Sequence, residues 1–346
     1  MKARFKKYSL DFKTPGGTSR GVLKQKDTWL LILESDRKIG IGECAMFRGL
    51  SADDVPGYED KLKWLCQHIE EAPTTLYDKL SGYPSIQFGL EQALLSLRSK
   101  DKFEVFPSEF TEGRTGIEIN GLVWMGPLDQ MKTQVETKLL QGYNCIKIKI
   151  GALDFAEELK FLQEVRKMGG VDLEIRVDAN GAFAPDEAME KLQAIAEMDI
   201  HSIEQPIKAG KFDAMQRLCR ESPIPVALDE ELIGIFKSKE KEQLLEGLVP
   251  PYIILKPSLL GGFRHCEEWM ALASGLGIRY WVTSALESNI GLNAIAQWTA
   301  GLEIKIPQGL GTGGLFTNNF LSPLYVEGSY LRYNPDMSWD IQTLIA

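Results

Sequence analysis

Cys145-Ile146-Lys147-Ile148-Lys149-Ile150 is the segment on which the fold turns. Isoleucine at every second position, with Gly142 before and Gly151 after, spells a strand. Residues i and i+2 of a strand point to one face, so Lys147 and Lys149 share a side. Two ammonium groups on one face of an otherwise apolar strand are costly if buried and idle if exposed. Either this is an edge strand with a solvated lysine face, or the lysines face something that needs them. The downstream sequence bears on the choice, because strand after strand there ends in a charged residue.

Six short apolar runs end at Lys149, Asp178, Glu204, Asp229, Lys256 and Ser284, spaced 25 to 29 residues apart. Helix-like segments lie near 155–168, 186–198, 211–220, 239–247, 263–275 and 291–301. Strands alternating with helices at this spacing mean βα units and a parallel sheet. Successive units closing on themselves suit a TIM-type (β/α) barrel. An open doubly wound sheet would usually bring G-x-G-x-x-G after its first strand, and none stands there. Glu118–Trp124 and Pro127–Gln141 read as the opening strand and helix, and Ile306–Leu310 as the last strand.

Residues 1–115 read as a separate α+β capping domain, ahead of a barrel over 116–320. Its strands are Lys2–Phe12, Trp29–Glu34 and Ile39–Cys44, and its helices lie near 58–71 and 85–99. The glycine-rich loop from Thr14 to Gly21, which carries Arg20, is either a plain hairpin connection or a mobile lid. Met46–Ser51 is a second loop of that kind. The tail, 321–346, is expected to leave the barrel and pack back on the capping domain. The expected class is therefore α/β: a modified (β/α) barrel with an N-terminal α+β cap completed by the C-terminal tail.

Of the 346 residues 44% are hydrophobic and 25% charged, as in ordinary soluble globular proteins. A formal charge of -9 argues against nucleic acid or an anionic membrane as partner. A small anionic substrate would need a local cationic pocket. The five cysteines form no C-x-x-C pair, and the three histidines no H-x-H or H-x-x-x-H, so neither a disulfide framework nor a histidine metal site is suggested. No signal peptide or membrane-spanning run is read, so a cytoplasmic protein is expected. The oligomeric state stays open.

Chemistry in a (β/α) barrel sits at the C-terminal ends of the strands, which brings Lys149, Asp178, Glu204, Asp229 and Lys256 to one rim. One such carboxylate could be a helix cap or a surface partner. Three at successive strand ends would repel one another unless a cation held them. All-oxygen ligation suits Mg²⁺, with Mn²⁺ possible. Lys149 and Lys256 should then face each other across a bound substrate. A lysine base must fall from about 10.4 to about 7–8, and Lys147 beside Lys149 would push it that way. A divalent cation on a substrate carboxylate favours removal of the adjacent α-proton.

These residues resemble the enolase superfamily: Lys-x-Lys on one strand, Asp178 in Arg-Val-Asp-Ala-Asn, Glu204 in Ile-Glu-Gln-Pro, then Asp229 and Lys256. A lysine on each side is similar to the muconate lactonising subgroup. Within it, Ile254–Gly262, Ser284–Gly291, Gly309–Phe316 and the Gly17–Gly21 loop resemble the o-succinylbenzoate synthase family. That resemblance implies dehydration of 2-succinyl-6-hydroxy-2,4-cyclohexadiene-1-carboxylate on the way to menaquinone. It implies Lys149 as base and proton donor, Lys256 as the cation over the ring, and Asp178, Glu204 and Asp229 as Mg²⁺ ligands. Ser284, Gly311, Gly313 and Arg20 are then substrate-pocket positions. Arg176 either orients ligands or substrate, or forms a buried ion pair.

The same triad and lysines occur in N-succinylamino acid racemases and dipeptide epimerases, which move a proton between two faces. Dipeptide epimerases usually carry Asp-x-Asp after the last strand, where this chain has Gly311-Thr312-Gly313. Sugar-acid dehydratases of the superfamily generally use a histidine on the seventh strand, and Tyr280–Ser284 has none. A metal-dependent scaffold without activity would be favoured by a missing ligand or lysine, and none is missing.

Overall fold

The alternation in the first 44 residues folds into an antiparallel sheet of β1 (Lys2–Thr18), β2 (Gly21–Ser35) and β3 (Lys38–Cys44), in that order. The structure, a computed structural model, describes residues 1–18 and 21–340. The β1–β2 ladder runs from Lys2↔Glu34 to Asp11↔Gln25, shifts, and resumes from Gly16↔Leu23 to Thr18↔Gly21. The glycine-rich segment is thus a hairpin extension along its described backbone, where a loop was expected. Glycine weakens a strand, and here the ladder to β2 supplies the order that local propensity lacks. Arg20 lies outside the described residues.

Three helices follow: α1 (Tyr58–Gln67), α2 (Pro73–Lys79) and α3 (Pro84–Arg98). The second is absent from the sequence reading; it is seven residues long, too short for periodicity to declare itself. Helix α3 lies on β3 with backbone against backbone. A Cβ on Gly42 would stand 1.9 Å from the Gly89 carbonyl oxygen, and one on Gly89 2.3 Å from Cys44 Sγ. Trp29, Leu31, Leu33, Leu62, Leu65, Leu90 and Ala93 fill the core of this domain.

Next come β4 (Ile117–Glu118), β5 (Gly121–Val123), α4 (Leu128–Leu140), β6 (Cys145–Lys149), α5 (Phe155–Gly169), β7 (Glu174–Asp178), α6 (Ala188–Ala196) and β8 (Ser202–Glu204). The barrel goes on with α7 (Phe212–Glu221), β9 (Val226–Leu228), α8 (Ser238–Leu248), β10 (Tyr252–Leu255), α9 (Pro257–Leu260), α10 (Phe263–Gly275), β11 (Arg279–Val282) and α11 (Asn289–Ala300). Strands β5 to β11 form one sheet in sequence order, and every pair in it is parallel. Strand β6 is interior, flanked by β5 and β7, which excludes the edge-strand reading.

The ring closes through two residues. The Asn120 N–H donates to the Gln308 carbonyl at 2.9 Å and the Gln308 N–H to that of Glu118 at 2.8 Å. On the other side the Gly309 N–H donates to Val282 O at 2.8 Å and Ser284 N–H to Gly309 O at 3.1 Å. The expected strand Ile306–Leu310 shrinks to this bridge because Pro307 has no N–H to give a ladder. The expected strand Glu118–Trp124 is divided. Its start, β4, pairs outward with the hairpin β12 (Leu324–Glu327) and β13 (Tyr330–Tyr333), while β5 enters the barrel. Beyond that hairpin Trp339 stacks on Phe103 at 4.1 Å, beside Leu30 and Ile41 of the capping sheet. Among the described residues no helix is long and apolar enough to cross a membrane.

Candidate active site

Register places the ionisable residues in layers. Lys147 pairs with Arg176 and Lys149 with Asp178, and Asp178 pairs in turn with Glu204. Lys149, Asp178 and Glu204 therefore share the layer at the strands' C-terminal ends, with Lys147 and Arg176 one layer deeper. Ile146 and Ile148 alternate to the outer face and are wholly buried in the core that spans the sheet and helices. The period-two pattern thus puts apolar groups under the helices and ammonium groups inside the barrel.

Each carboxylate meets a lysine. Lys149 Nζ donates to Asp178 Oδ2 at 2.5 Å and to Asn180 Oδ1 at 2.8 Å. Lys147 Nζ donates to Glu204 Oε2 at 2.8 Å and stands 3.4 Å from Asp178 Oδ2. Lys256 Nζ donates to Asp229 Oδ2 at 2.5 Å and lies 3.5 Å from Glu204 Oε1. Three ammonium groups thus neutralise three carboxylates that are at most 2% exposed.

Burial opposes the charges of Asp178, Glu204, Asp229, Lys147 and Lys256, and the balance between burial and neighbours differs among them. On Asp178 the ammonium groups of Lys149, Lys147 and Lys256 outweigh burial and hold the carboxyl well below the usual carboxylate range. On Glu204 burial wins, joined by repulsion from Asp178, and the carboxyl is pushed up. Asp229 is also pushed up, by burial and by Glu230 against the pull of Lys256. Lys147 and Lys256 would fall on burial alone, but the surrounding carboxylates raise both. Lys147 therefore acts as counter-ion to Glu204 and Asp178, where the sequence cast it as a repelling neighbour of Lys149. Its nearest charges are carboxylates on β7 and β8.

Among the described residues no three His, Cys, Asp or Glu side chains surround a common point as metal ligands would. Asp178 and Asp229 are turned to lysines. The donor set nonetheless fits a hard divalent cation: three buried carboxylates come from neighbouring strands, and Glu204 Oε1 accepts no hydrogen bond.

The lysines open into a cavity of about 710 Å³, counting its mouth, between the barrel rim and the capping domain. Lys149, Asn180 and Lys256 form its polar end. Leu23, Phe47 and Leu50 of the capping domain, with Trp124 and Leu286 of the barrel, supply an apolar wall. Ser284 lines it with its Oγ 2.6 Å from Thr312 Oγ1, and Gly311 lines it too.

Two expected pocket residues lie elsewhere. Arg176 is 1% exposed and points down the barrel, donating to Glu174 at 2.7 Å and to the Pro307 carbonyl at 2.8 Å, 4.4 Å over the Trp281 ring. Of its two readings, the buried ion pair is the one present, because the inner face of β7 brings Glu174 within reach. Gly313 is turned away: a Cβ there would sit 2.7 Å from Asn289 Oδ1. Asn180, two residues beyond the end of β7, carries no signal of its own in the sequence beyond being a residue type that tolerates its left-handed φ of 44°. Leu23, Phe47, Leu50 and Trp124 are ordinary apolar residues with no signal of their own; only the 46–51 loop had been marked.

The chain matches two family descriptions, "Enolase C-terminal domain-like" over residues 130–331 and "MenC, N-terminal domain" over 1–97. It is 43% identical to the o-succinylbenzoate synthase of Desulfotalea psychrophila over 96% of this chain and 98% of that one. The crystal structure of MenC from the same organism superposes with a TM-score of 0.85 at 39% identity, covering 96% and 99% of the two chains. The L-Ala-D/L-Glu epimerase of Bacillus subtilis is 27% identical over 76% of this chain and 74% of its own.

Proposed function

The chain belongs to the enolase superfamily, within its o-succinylbenzoate synthase branch, and from that premise we infer that it dehydrates 2-succinyl-6-hydroxy-2,4-cyclohexadiene-1-carboxylate to o-succinylbenzoate, a carbon–oxygen lyase step of menaquinone biosynthesis. The observation that carries the choice within the superfamily is the 43% identity along nearly the full length of both chains. A cytoplasmic setting accords with five unpaired cysteines.

Enolase-superfamily enzymes generally combine Mg²⁺ with a lysine or histidine base. Here Asp178, Glu204 and Asp229 would hold Mg²⁺ or Mn²⁺. Such an ion supplies the positive charge that offsets charge developing on the substrate carboxylate. The residues of the chain do the rest. Lys149 enters as the free amine, so its pairing with Asp178 is given up on the way to the reactive state. Its Nζ takes the α-proton, and the electrons of that C–H bond pass into the ring as the C–OH bond breaks. The Lys149 ammonium returns the proton to the departing hydroxide on the same face, water leaves, and the ring becomes aromatic. Lys256 stays cationic and faces the ring from the other side, a cation–π partner. Phe47, Leu50, Trp124 and Leu286 keep water from the ring. Lys256 and the divalent cation would supply the positive charge that an anionic carboxylate meets here despite the net charge of -9.

The two lysines flanking one cavity also suit 1,1-proton transfer, the chemistry of racemases and epimerases. Against an amine-bearing dipeptide, Gly311-Thr312-Gly313 offers no carboxylate, and the Thr312 hydroxyl is engaged with Ser284. The test is to mix the protein and Mg²⁺ with the cyclohexadiene and follow loss of its diene absorbance. Turnover is expected. A silent assay beside rapid epimerisation of a dipeptide or N-succinyl amino acid would replace this reading with the other.

A further inference from the structure

The turn after β11 faces the cavity with Ser284, Ala285 and Leu286 before Ser288 caps α11. Leu286 has a φ of 62°, in the left-handed region that a non-glycine residue seldom adopts. Such a conformation persists only where its surroundings hold it. Part of the hold is the Ser284 hydroxyl, which accepts from the Leu286 N–H at 3.3 Å, and part is Glu287, which is wholly buried and lies outside the cavity lining. Its Oε2 accepts from the Ala285 N–H at 2.8 Å, and its Oε1 accepts from the Ser258 hydroxyl. Ser258 is two residues beyond Lys256, in α9. One carboxylate thus ties the wall of the cavity to the lysine-bearing segment.

The capping domain packs against the same turn. Glu43 of β3 is buried close by, its oxygens filled by Thr28 Oγ1, by the N–H and Oγ of Ser288 and by the N–H of Gly291. The approach is close: a Cβ on Gly291 would stand 2.8 Å from Glu43 Oε2 and 2.9 Å from Glu287 Cβ. Lys26 of β2, 6% exposed, brings the positive charge. Burial pulls its ammonium below the usual lysine range, and Glu43 and Glu287 pull it back. Its Nζ makes no hydrogen bond, so it acts as a charge and not as a tether.

We propose that Glu287 is a positioning residue for the reaction, clasping the Ser284–Leu286 turn to the segment after Lys256. The proposal rests on the dehydratase reading above. A misplacement of an ångström in an active site can cost about 10²-fold in rate. Full-length Glu287→Ala with Mg²⁺ should therefore lose about 10²-fold in kcat, with KM on the cyclohexadiene little changed. Ser258→Ala, which removes one tether and no charge, should lose about 10-fold by the same effect. Glu287→Gln keeps an acceptor for Ala285 and a partner for Ser258, so it should recover most of the rate. Unchanged kcat per folded molecule in Ser258→Ala and Glu287→Ala, or a Gln variant as slow as Ala, overturns the proposal. If Glu287→Ala fails to fold, Ser258→Ala and Glu287→Gln decide it. A wild type that turns over beside unaffected variants sinks the clasp alone. A wild type that does not turn over sinks the functional reading and the clasp with it.

Discussion

Lys149 is the residue whose removal should be most informative. General acid–base groups contribute about 10²–10⁴-fold, so Lys149→Ala should lose at least that much in kcat, with circular dichroism unchanged. Retained turnover would mean that the base lies elsewhere, with Lys256 the first alternative. The carboxylates make a separate prediction that needs no turnover. A ligand that binds only the folded state stabilises it by about 2.7 kcal/mol at 100 times its Kd. Mg²⁺ should raise the unfolding temperature of the wild type, EDTA should reverse the gain, and Asp229→Asn should blunt it. An equal rise in the variant would remove Asp229 from the ligand set. At this scale the sequence was most telling, because Lys149, Asp178, Glu204, Asp229 and Lys256 are chemically improbable strand ends unless they serve one another. Arg176 shows the limit. Alternation put it on the inner face of β7, and only the distance to Glu174 decided that it is a structural partner.

Helix α3 and strand β3 make the tightest contact between elements. Gly42 and Gly89 let the two backbones touch, so a side chain at either has nowhere to go. Overpacking a core typically costs about 1–3 kcal/mol. Gly89→Ala should cost at least the lower figure in urea unfolding and lower activity only by lowering the folded fraction. A variant as stable as wild type would show that the helix can shift freely on the sheet. At this scale legibility was uneven. The βα repeat was plain, since each unit has its own apolar strand and amphipathic helix. The closing strand was not, because single bridges at Gln308 and Gly309 do the work and the partner of Gln308, Ile119, is far away in sequence.

The whole molecule depends on the capping domain being seated on the barrel. Glu91 of α3 accepts from the N–H groups of Phe263 at 2.6 Å and Arg264 at 3.2 Å, the first turn of α10. Burial pushes its carboxyl up to about 7, against those hydrogen bonds. The sign follows from proton linkage. A carboxyl raised in the folded state binds its proton more tightly there than in the unfolded chain. Its contribution is present below about 4.5 and is lost as pH rises toward 7. With about 1.4 kcal/mol per unit, the loss is at most about 3.5 kcal/mol. Glu91→Gln should flatten that part of the stability–pH curve, measured by urea unfolding from pH 4.5 to 7.5. A slope identical to the wild type would place the titration on another group.

By itself the sequence determined the class of the barrel, the order of its units and the five charged strand ends, because period and spacing are local properties of the chain. It could not say where those side chains would meet, since inward-facing residues on different strands become neighbours only when parallel register aligns them. Tertiary structure alone decided that Lys147 neutralises Glu204, that Gly313 turns to Asn289, and that Lys26 and Glu43 cross from the capping sheet to the turn behind the cavity. The reason is physical. A buried charge is stable only beside its partner, and the partner's identity is set by packing between segments tens to hundreds of residues apart.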